Sequence, residues 1–218
     1  MKQVVVIGGG AAGMMAAIIS ARNGHKVTLL EQNEKLGKKL YITGKGRCNL
    51  TNASDMEVLF SNVVSNAKFL YSAFYGFDNY QTIAFFEELG LKTKIERGER
   101  VFPESDKSSD VIMVLQKELK KLDVKVLLYT KAEEILEENG HTKGVMIKKD
   151  GEKKMIKADA VVIATGGISY PSTGSTGDGH RMAKDMGHTI TKLYPALVPF
   201  EIEESFGKEF QGLSLKNV

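Results

Sequence analysis

The first apolar run, Val4-Val5-Val6-Ile7, has no polar alternation, the pattern of a strand covered on both faces of a parallel sheet. Gly8-Gly9-Gly10-Ala11-Ala12-Gly13 follows at once, and residues 11–23 predict a helix of small and apolar residues closed by Gly24. Val27-Thr28-Leu29-Leu30 is a second strand, ending on Glu31. Residues 33–54 have no period and are rich in Gly, Lys, Asn and Thr, which predicts a long loop. Residues 55–90 predict helix, with Ile83, Phe86 and Leu89 on one side and Gly90 as the stop. Two short strands are expected within 92–102 around Arg97-Gly98-Glu99, then a helix capped by Ser109 or Asp110 that runs to Leu122. Val124-Lys125-Val126-Leu127-Leu128 reads as a strand. Asn139-Gly140 and Asp150-Gly151 divide residues 130–158 into a three-stranded antiparallel meander. Residues 159–167 predict a fully buried strand ending in a glycine turn, and the loop 172–179 opens a further helix. With Pro195 and Pro199 a new pattern begins.

Strand, glycine turn, helix and strand in this order predict a dinucleotide-binding α/β unit, with a three-stranded antiparallel meander ahead of a last buried strand. At 218 residues the chain is long enough for one sizeable core. Apolar content of 42% and charged content of 26% are those of an ordinary globular protein. The net charge of +3, with Lys and Glu interspersed, offers no stripe for nucleic acid. Residues 4–21 carry no charge and follow Lys2, yet three consecutive glycines make a poor membrane or signal helix, and such a segment would not explain a second strand ending in Glu31. No membrane role is expected. Cys48 is the single cysteine, which excludes an intrachain disulfide and suits a reducing cytoplasm. The four histidines (His25, His141, His180, His188) show no metal-ligand spacing, so no metal is expected.

The glycine turn carries the first chemistry. Gly8 permits the tight turn, Gly10 lets backbone approach a pyrophosphate, and Gly13 lets the helix sit close to the sheet. Ala11 and Ala12 open a helix whose N-terminus offers N–H groups and a positive dipole end to phosphates. Glu31, with Gln32 beside it, can accept hydrogen bonds from a ribose 2′-hydroxyl and would repel a 2′-phosphate. Two further glycine-rich segments follow strands. The second holds Lys39, Gly44, Gly46, Arg47, Cys48, Asn49, Thr51 and Asn52, a mixture of positive charge and small hydrogen-bonding groups suited to a pyrophosphate and its sugar. A solvated basic loop is the bland alternative for it. Cys48 reads as a small turn residue beside a cofactor, since no second cysteine exists to resolve a redox thiol. The third segment holds Ala164, Thr165, Gly166 and Gly167, and then Asp178, which either bonds cofactor or substrate hydroxyls or caps the following helix. Tyr170 and His180 are within reach of a substrate in principle, but structural roles are expected for both. No catalytic acid or base is assigned.

Thr43-Gly44-Lys45-Gly46-Arg47-Cys48-Asn49-Leu50-Thr51-Asn52, with the first glycine turn and Glu31, Ala164-Thr165-Gly166-Gly167 and Thr173-Gly174-Ser175-Thr176-Gly177-Asp178-Gly179, resembles the BaiN-like or aminoacetone-oxidase family of bacterial FAD-binding proteins. The Gly-Arg-Cys-Asn-x-Thr-Asn phrase is the specific part; the other motifs are common to flavoproteins of the glutathione-reductase type. The resemblance implies an α/β fold with a doubly wound parallel sheet of Rossmann type and a three-stranded antiparallel β-meander crossover, which the hairpins above match, with FAD as cofactor and a backbone contact from Ala132 to its adenine. It also implies a protein about twice this length. On that reading residues 1–192 are an incomplete FAD-binding domain, 193–218 begin an inserted second domain, and a C-terminal return segment completes the flavin site. These 218 residues alone are then expected to retain flavin weakly or not at all, and not to turn over.

The function expected is that of a flavin-dependent oxidoreductase, moving hydride between flavin and a small organic substrate, with NAD(P)H or oxygen as the other redox partner. Within the family, chemistry ranges from reduction of carbon–carbon double bonds in steroid acids to amine oxidation, so substrate identity does not carry over. Two alternatives stay open: an NAD-linked Rossmann dehydrogenase, which needs only the first glycine turn, and a non-catalytic flavin-binding redox sensor. The sequence is silent on oligomeric state.

Overall fold

In the computed structural model, which describes residues 1–195, 209, 210, 212 and 213, β1 (Gln3–Ile7) pairs in parallel with β2 (Lys26–Leu30) on one side and β10 (Ala160–Ile163) on the other. β6 (Lys125–Leu127) adds outside β2, giving the order β10-β1-β2-β6. Successive side chains of these strands enter two different cores. Val4, Val6, Val27 and Leu29 pack with Met14, Ala17 and Ile18 of α1 (Ala11–Arg22) and with Val111, Leu115 and Leu119 of α6 (Ser108–Lys121). Val5, Ile7 and Leu30 face the opposite way, onto Ala132, Val145, Ile147 and Met182. The uninterrupted apolar runs have this cause: both faces are covered, and each buried Val or Leu adds roughly 1.5–3 kcal/mol.

The second face is covered by the expected meander of β7 (Lys131–Glu138), β8 (His141–Lys149) and β9 (Glu152–Lys157). Its turns place Asn139 and Gly140 at φ 54° and 76°, and Asp150 and Gly151 at φ 53° and 82°, the left-handed pairs that two-residue hairpins demand. A third sheet, in the order β3-β5-β4, joins β3 (Thr51–Asn52), β4 (Thr93–Glu96) and β5 (Arg100–Pro103), the last two being the hairpin expected around Gly98.

Four expectations need correction. The segment 33–54 is not a plain loop: it contains α2 (Lys38–Ile42), a tight turn over Thr43–Gly46 with Gly44 and Lys45 in the left-handed region, and β3. The helix expected over 55–90 is three helices, α3 (Met56–Ser61), α4 (Tyr71–Gly76) and α5 (Asn79–Glu88), with a 3-10 turn over Ala67–Leu70. Asn66 at φ 54° breaks the run, and Asp78 with Gln81 forms a capping box that starts a new helix. Neither Ser109 nor Asp110 caps α6, which begins one residue earlier, where Ser108 Oγ donates to the Tyr41 carbonyl at 2.7 Å. Finally, β10 is half-buried rather than fully buried, because among the described residues it lies at the sheet edge and pairs with β1 alone. The last helix, α7 (Asp178–Asp185), follows the 165–177 loop.

A partly buried ion-pair cluster around the buried Glu118 ties the helical layer together. Arg22 donates from Nε and Nη2 to Glu118 Oε1 at 3.0 and 2.7 Å, and from Nη2 to Glu88 Oε1 at 3.1 Å. Residues Met1–His188 form one unit and Thr189–Val218 another. Of the segment expected to begin a second domain, residues 196–208, 211 and 214–218 lie outside the described residues. Among the described residues no helix is long and apolar enough to cross a membrane.

Candidate functional site

Gly8 and Gly13 are required by the fold itself, whereas Gly10 leaves space for a ligand. A Cβ on Gly13 would sit 1.7 Å from the Gly8 carbonyl oxygen, so the helix approaches the turn more closely than any other residue permits. Gly8 has φ +107°, and a Cβ there would meet the Ala164 carbonyl oxygen at 2.4 Å. Gly10 has ordinary angles (φ −80°, ψ −170°), and a Cβ on it would meet nothing within 4 Å. The space beside Gly10 is open. Gly10 is also the N-cap of α1; no side chain caps that end, and no acid lies in its first turn. The N–H groups of Ala11, Ala12 and Gly13 therefore have no acceptor within the helix and retain their partial positive charge.

That open space belongs to a cleft of about 680 Å³ at the carboxyl ends of β1, β2 and β10. Of the residues expected at a cofactor, Gly8, Gly10, Ala11, Ala12, Glu31, Gln32, Lys39, Ala132, Ala164, Thr165, Gly166 and Asp178 line it. Gly13 lies beneath the turn, buried. Glu31 is only 8% exposed. Its Oε2 accepts from Gly9 N at 2.8 Å, and its Oε1 accepts from Asn33 N at 2.9 Å and Asn33 Nδ2 at 2.7 Å. Lys39 Nζ bridges the second and third segments, donating to Ser169 O and Ser175 Oγ, each at 2.7 Å. Asp178 does not cap α7: Gly177 is the N-cap, and the Asp178 carboxylate accepts from Thr176 Oγ1 at 2.6 Å.

The rest of the second segment does not line this cleft. Gly44, Gly46, Arg47, Cys48, Asn49, Thr51 and Asn52 stand outside its wall, as does Gly167 of the third. Long-range charge pairing is the reason for Arg47. Its guanidinium donates to Glu96 Oε1 and to Asp106 Oδ1, and lies 4.1 Å from the Phe102 ring centroid. Asn52 is committed to the Gly98 carbonyl at 2.8 Å and Thr51 pairs with Val101 in the third sheet. Cys48 is buried in the helical-side core, and burial pushes its thiol up to about 11, which leaves it a poor nucleophile at neutral pH.

The Arg47 cluster has a pH signature. Arg47 first, then Lys94, holds Glu96 below the usual carboxylate range; Lys94 and then Arg47 do the same for Asp106. Carboxylates with lowered values stabilise the fold above their unfolded values, about 3.9 for Asp and 4.3 for Glu, and that contribution is lost as pH falls through the folded values. Amide-exchange protection in residues 43–49 is therefore expected to hold from neutrality to about pH 5 and to fall towards pH 3. Arg47→Gln should flatten that step; an unchanged profile would remove the pinning role.

Gly37 and Lys38 of the run 35–39 that opens the second segment, and Thr43 before Gly44, also line the cleft; sequence reasoning did not single out Thr130, Lys131, Thr173, Gly174 and Ser175, which line it as well. Thr173 to Ser175 sat inside a quoted motif, but nothing local marks which of its residues face inward. His180 lines the cleft, whereas Tyr170 stands 65% exposed outside its wall. Lysines 38, 39 and 131 at the wall and an uncapped helix N-terminus as donors, with the buried Glu31 carboxylate as acceptor, fit an extended adenine dinucleotide such as FAD. The volume is within the ~300–1,000 Å³ of ordinary ligand pockets.

Residues 2–217 match the family model described as the HI0933-like protein Rossmann domain. The chain is 38% identical over 208 residues to the 3-dehydro-bile acid delta(4,6)-reductase of Clostridium scindens, covering 94% of this chain and 48% of that protein. It is 28% identical over 214 residues to the ribosomal RNA dihydrouridine synthase of Haemophilus influenzae, covering 97% and 52%. The chain thus spans about half the length of these curated relatives. Among solved structures, a 3-ketosteroid-delta4-(5alpha)-dehydrogenase from Rhodococcus jostii superposes with a TM-score of 0.67 at 17% identity, over 85% of this chain and 54% of that one, a likeness of fold alone.

Proposed function

Because the chain belongs to the HI0933-like family of FAD-binding Rossmann domains, we propose that it is the FAD-binding portion of a flavin-dependent oxidoreductase acting on a small organic substrate, with NAD(P)H or oxygen as second redox partner. The observation that carries this reading is the meeting of the α1 N-terminus, Glu31 and the Thr165-Gly166 turn in one cleft. FAD, when bound, supplies the two-electron chemistry. The chain supplies position. The Ala11 and Ala12 N–H groups receive the pyrophosphate, Gly10 leaves room for it, and Glu31 accepts from the adenosine ribose. Lys39 and Ser175 close the wall beside it. The 38% identical relative is named for a reduction of a bile acid, which supports an apolar ring compound as substrate.

A second reading, reduction of an RNA base, is favoured by the Haemophilus influenzae relative. The charge pattern weighs against it, since lysines of the meander are matched by carboxylates, as in Lys153–Glu133, Lys154–Glu152 and Lys143–Glu138. The single buried cysteine favours a cytoplasmic setting. The decisive experiment takes the intact gene product, identifies its chromophore, and follows bleaching of the flavin band under NADH or NADPH without oxygen. Reoxidation by an unsaturated steroid acid and not by ribosomal RNA is the expected result. Absence of flavin would defeat the reading; bound flavin that no donor reduces would favour the sensor.

A further inference from the structure

We propose that Asn33 is a positioning residue that orients Glu31 and thereby sets the preference of the cleft for an unmodified adenosine ribose; this rests on the FAD reading above. Asn33 holds three walls of the cleft at once. Its backbone N and its Nδ2 both donate to Glu31 Oε1, at 2.9 and 2.7 Å. The second proton of Nδ2 goes to the Thr173 carbonyl at 3.2 Å, 140 residues away. Its Oδ1 accepts from Lys38 Nζ at 3.3 Å, and its carbonyl accepts from Tyr129 N at 3.1 Å, in the connection between β6 and β7.

Two consequences follow from these bonds. With Gly9 N on Oε2 and the two Asn33 donors on Oε1, the Glu31 carboxylate is held from both sides and cannot rotate without breaking one of them. A fixed carboxylate discriminates between ligands; a mobile one adapts to each. Second, the strap at Thr173-Gly174 rests directly on this amide. A Cβ on Gly174 would meet Asn33 Nδ2 at 2.8 Å, and the φ of +102° there suits glycine. Asn33 thus couples the carboxylate that reads the ribose to the strap over it.

The test compares binding of ADP, the half of the cofactor that carries this ribose, with 2′-deoxy-ADP on the intact gene product freed of flavin, by calorimetry. One hydrogen bond to a charged acceptor corresponds to roughly tenfold or more in affinity, and the unaltered chain is expected to prefer ADP by that factor. Asn33→Ala should reduce the preference to about twofold or less. Asn33→Asp, isosteric but with a second carboxylate facing Glu31, should do the same and serves if the alanine variant fails to fold. A merely structural role would weaken both ligands equally and keep the ratio. A retained ratio in either folded variant overturns the role of Asn33, leaving the FAD reading intact. A chain that shows no preference while binding both nucleotides overturns it together with the ribose role of Glu31, and a chain that binds neither sinks the FAD reading as well.

Discussion

Gly10→Val is expected to abolish FAD binding and leave the fold standing, whereas Gly13→Ala should damage both. The contrast rests on what each added carbon meets. Beside Gly10 there is open space, and its backbone angles are ones that valine adopts without strain. A valine there fills the place where the pyrophosphate would approach the α1 N-terminus, with no clash inside the protein. An affinity loss of about 100-fold or more, with a melting temperature within about 2 °C of the unaltered chain, is the predicted signature. At Gly13 the added carbon would overlap the Gly8 carbonyl. Helix and turn must separate, at a cost of about 1–3 kcal/mol or more, seen as a fall of several degrees in melting temperature. Flavin titration and thermal unfolding of both variants in the intact gene product check this. Normal flavin affinity in Gly10→Val would mean that the cofactor does not pass this turn.

The second large effect is on stability. Arg22→Ala leaves Glu118, 5% exposed, with a buried carboxylate that has lost its two guanidinium bonds. Lys121 reaches the other oxygen only at 3.6 Å. Breaking a fully buried pair costs about 3–5 kcal/mol, and Arg22 keeps partial access to solvent, so about 2–3 kcal/mol is expected. For a chain of this size that is roughly 5–10 °C in melting temperature. The double variant Arg22→Leu with Glu118→Leu should regain most of the loss, because the desolvation cost of the carboxylate disappears with it. A single variant as stable as the parent would show that solvent reaches Glu118 after all.

The parts of the site that were legible in the sequence are those made by neighbours along the chain. The glycine turn, the strand-end Glu31 and the two Asn-Gly and Asp-Gly hairpins depend on backbone angles and on a separation of a few residues, and all stand where expected. The second segment was legible as a motif and illegible as geometry. Its lysines and arginine look alike in sequence, yet Lys39 joins the cleft wall and Arg47 turns away to Glu96 and Asp106, 49 and 59 residues further on. Asn33 stayed unnoticed for the same reason, since one of its partners is Thr173. The break of the 55–90 region into three helices was missed because apolar spacing spoke for continuity and the left-handed Asn66 carries no periodic mark.

By itself the sequence determined the α/β plan, the phosphate-type turn and the meander, because short-range sterics and the burial of apolar runs leave few alternatives. Only the tertiary structure decided which polar side chains face the cleft, since a charged group on a long stem goes to whichever partner the fold brings within reach. That choice is made by residues far apart in sequence, from the 49 positions between Arg47 and Glu96 to the 142 between Gln32 and Gly174.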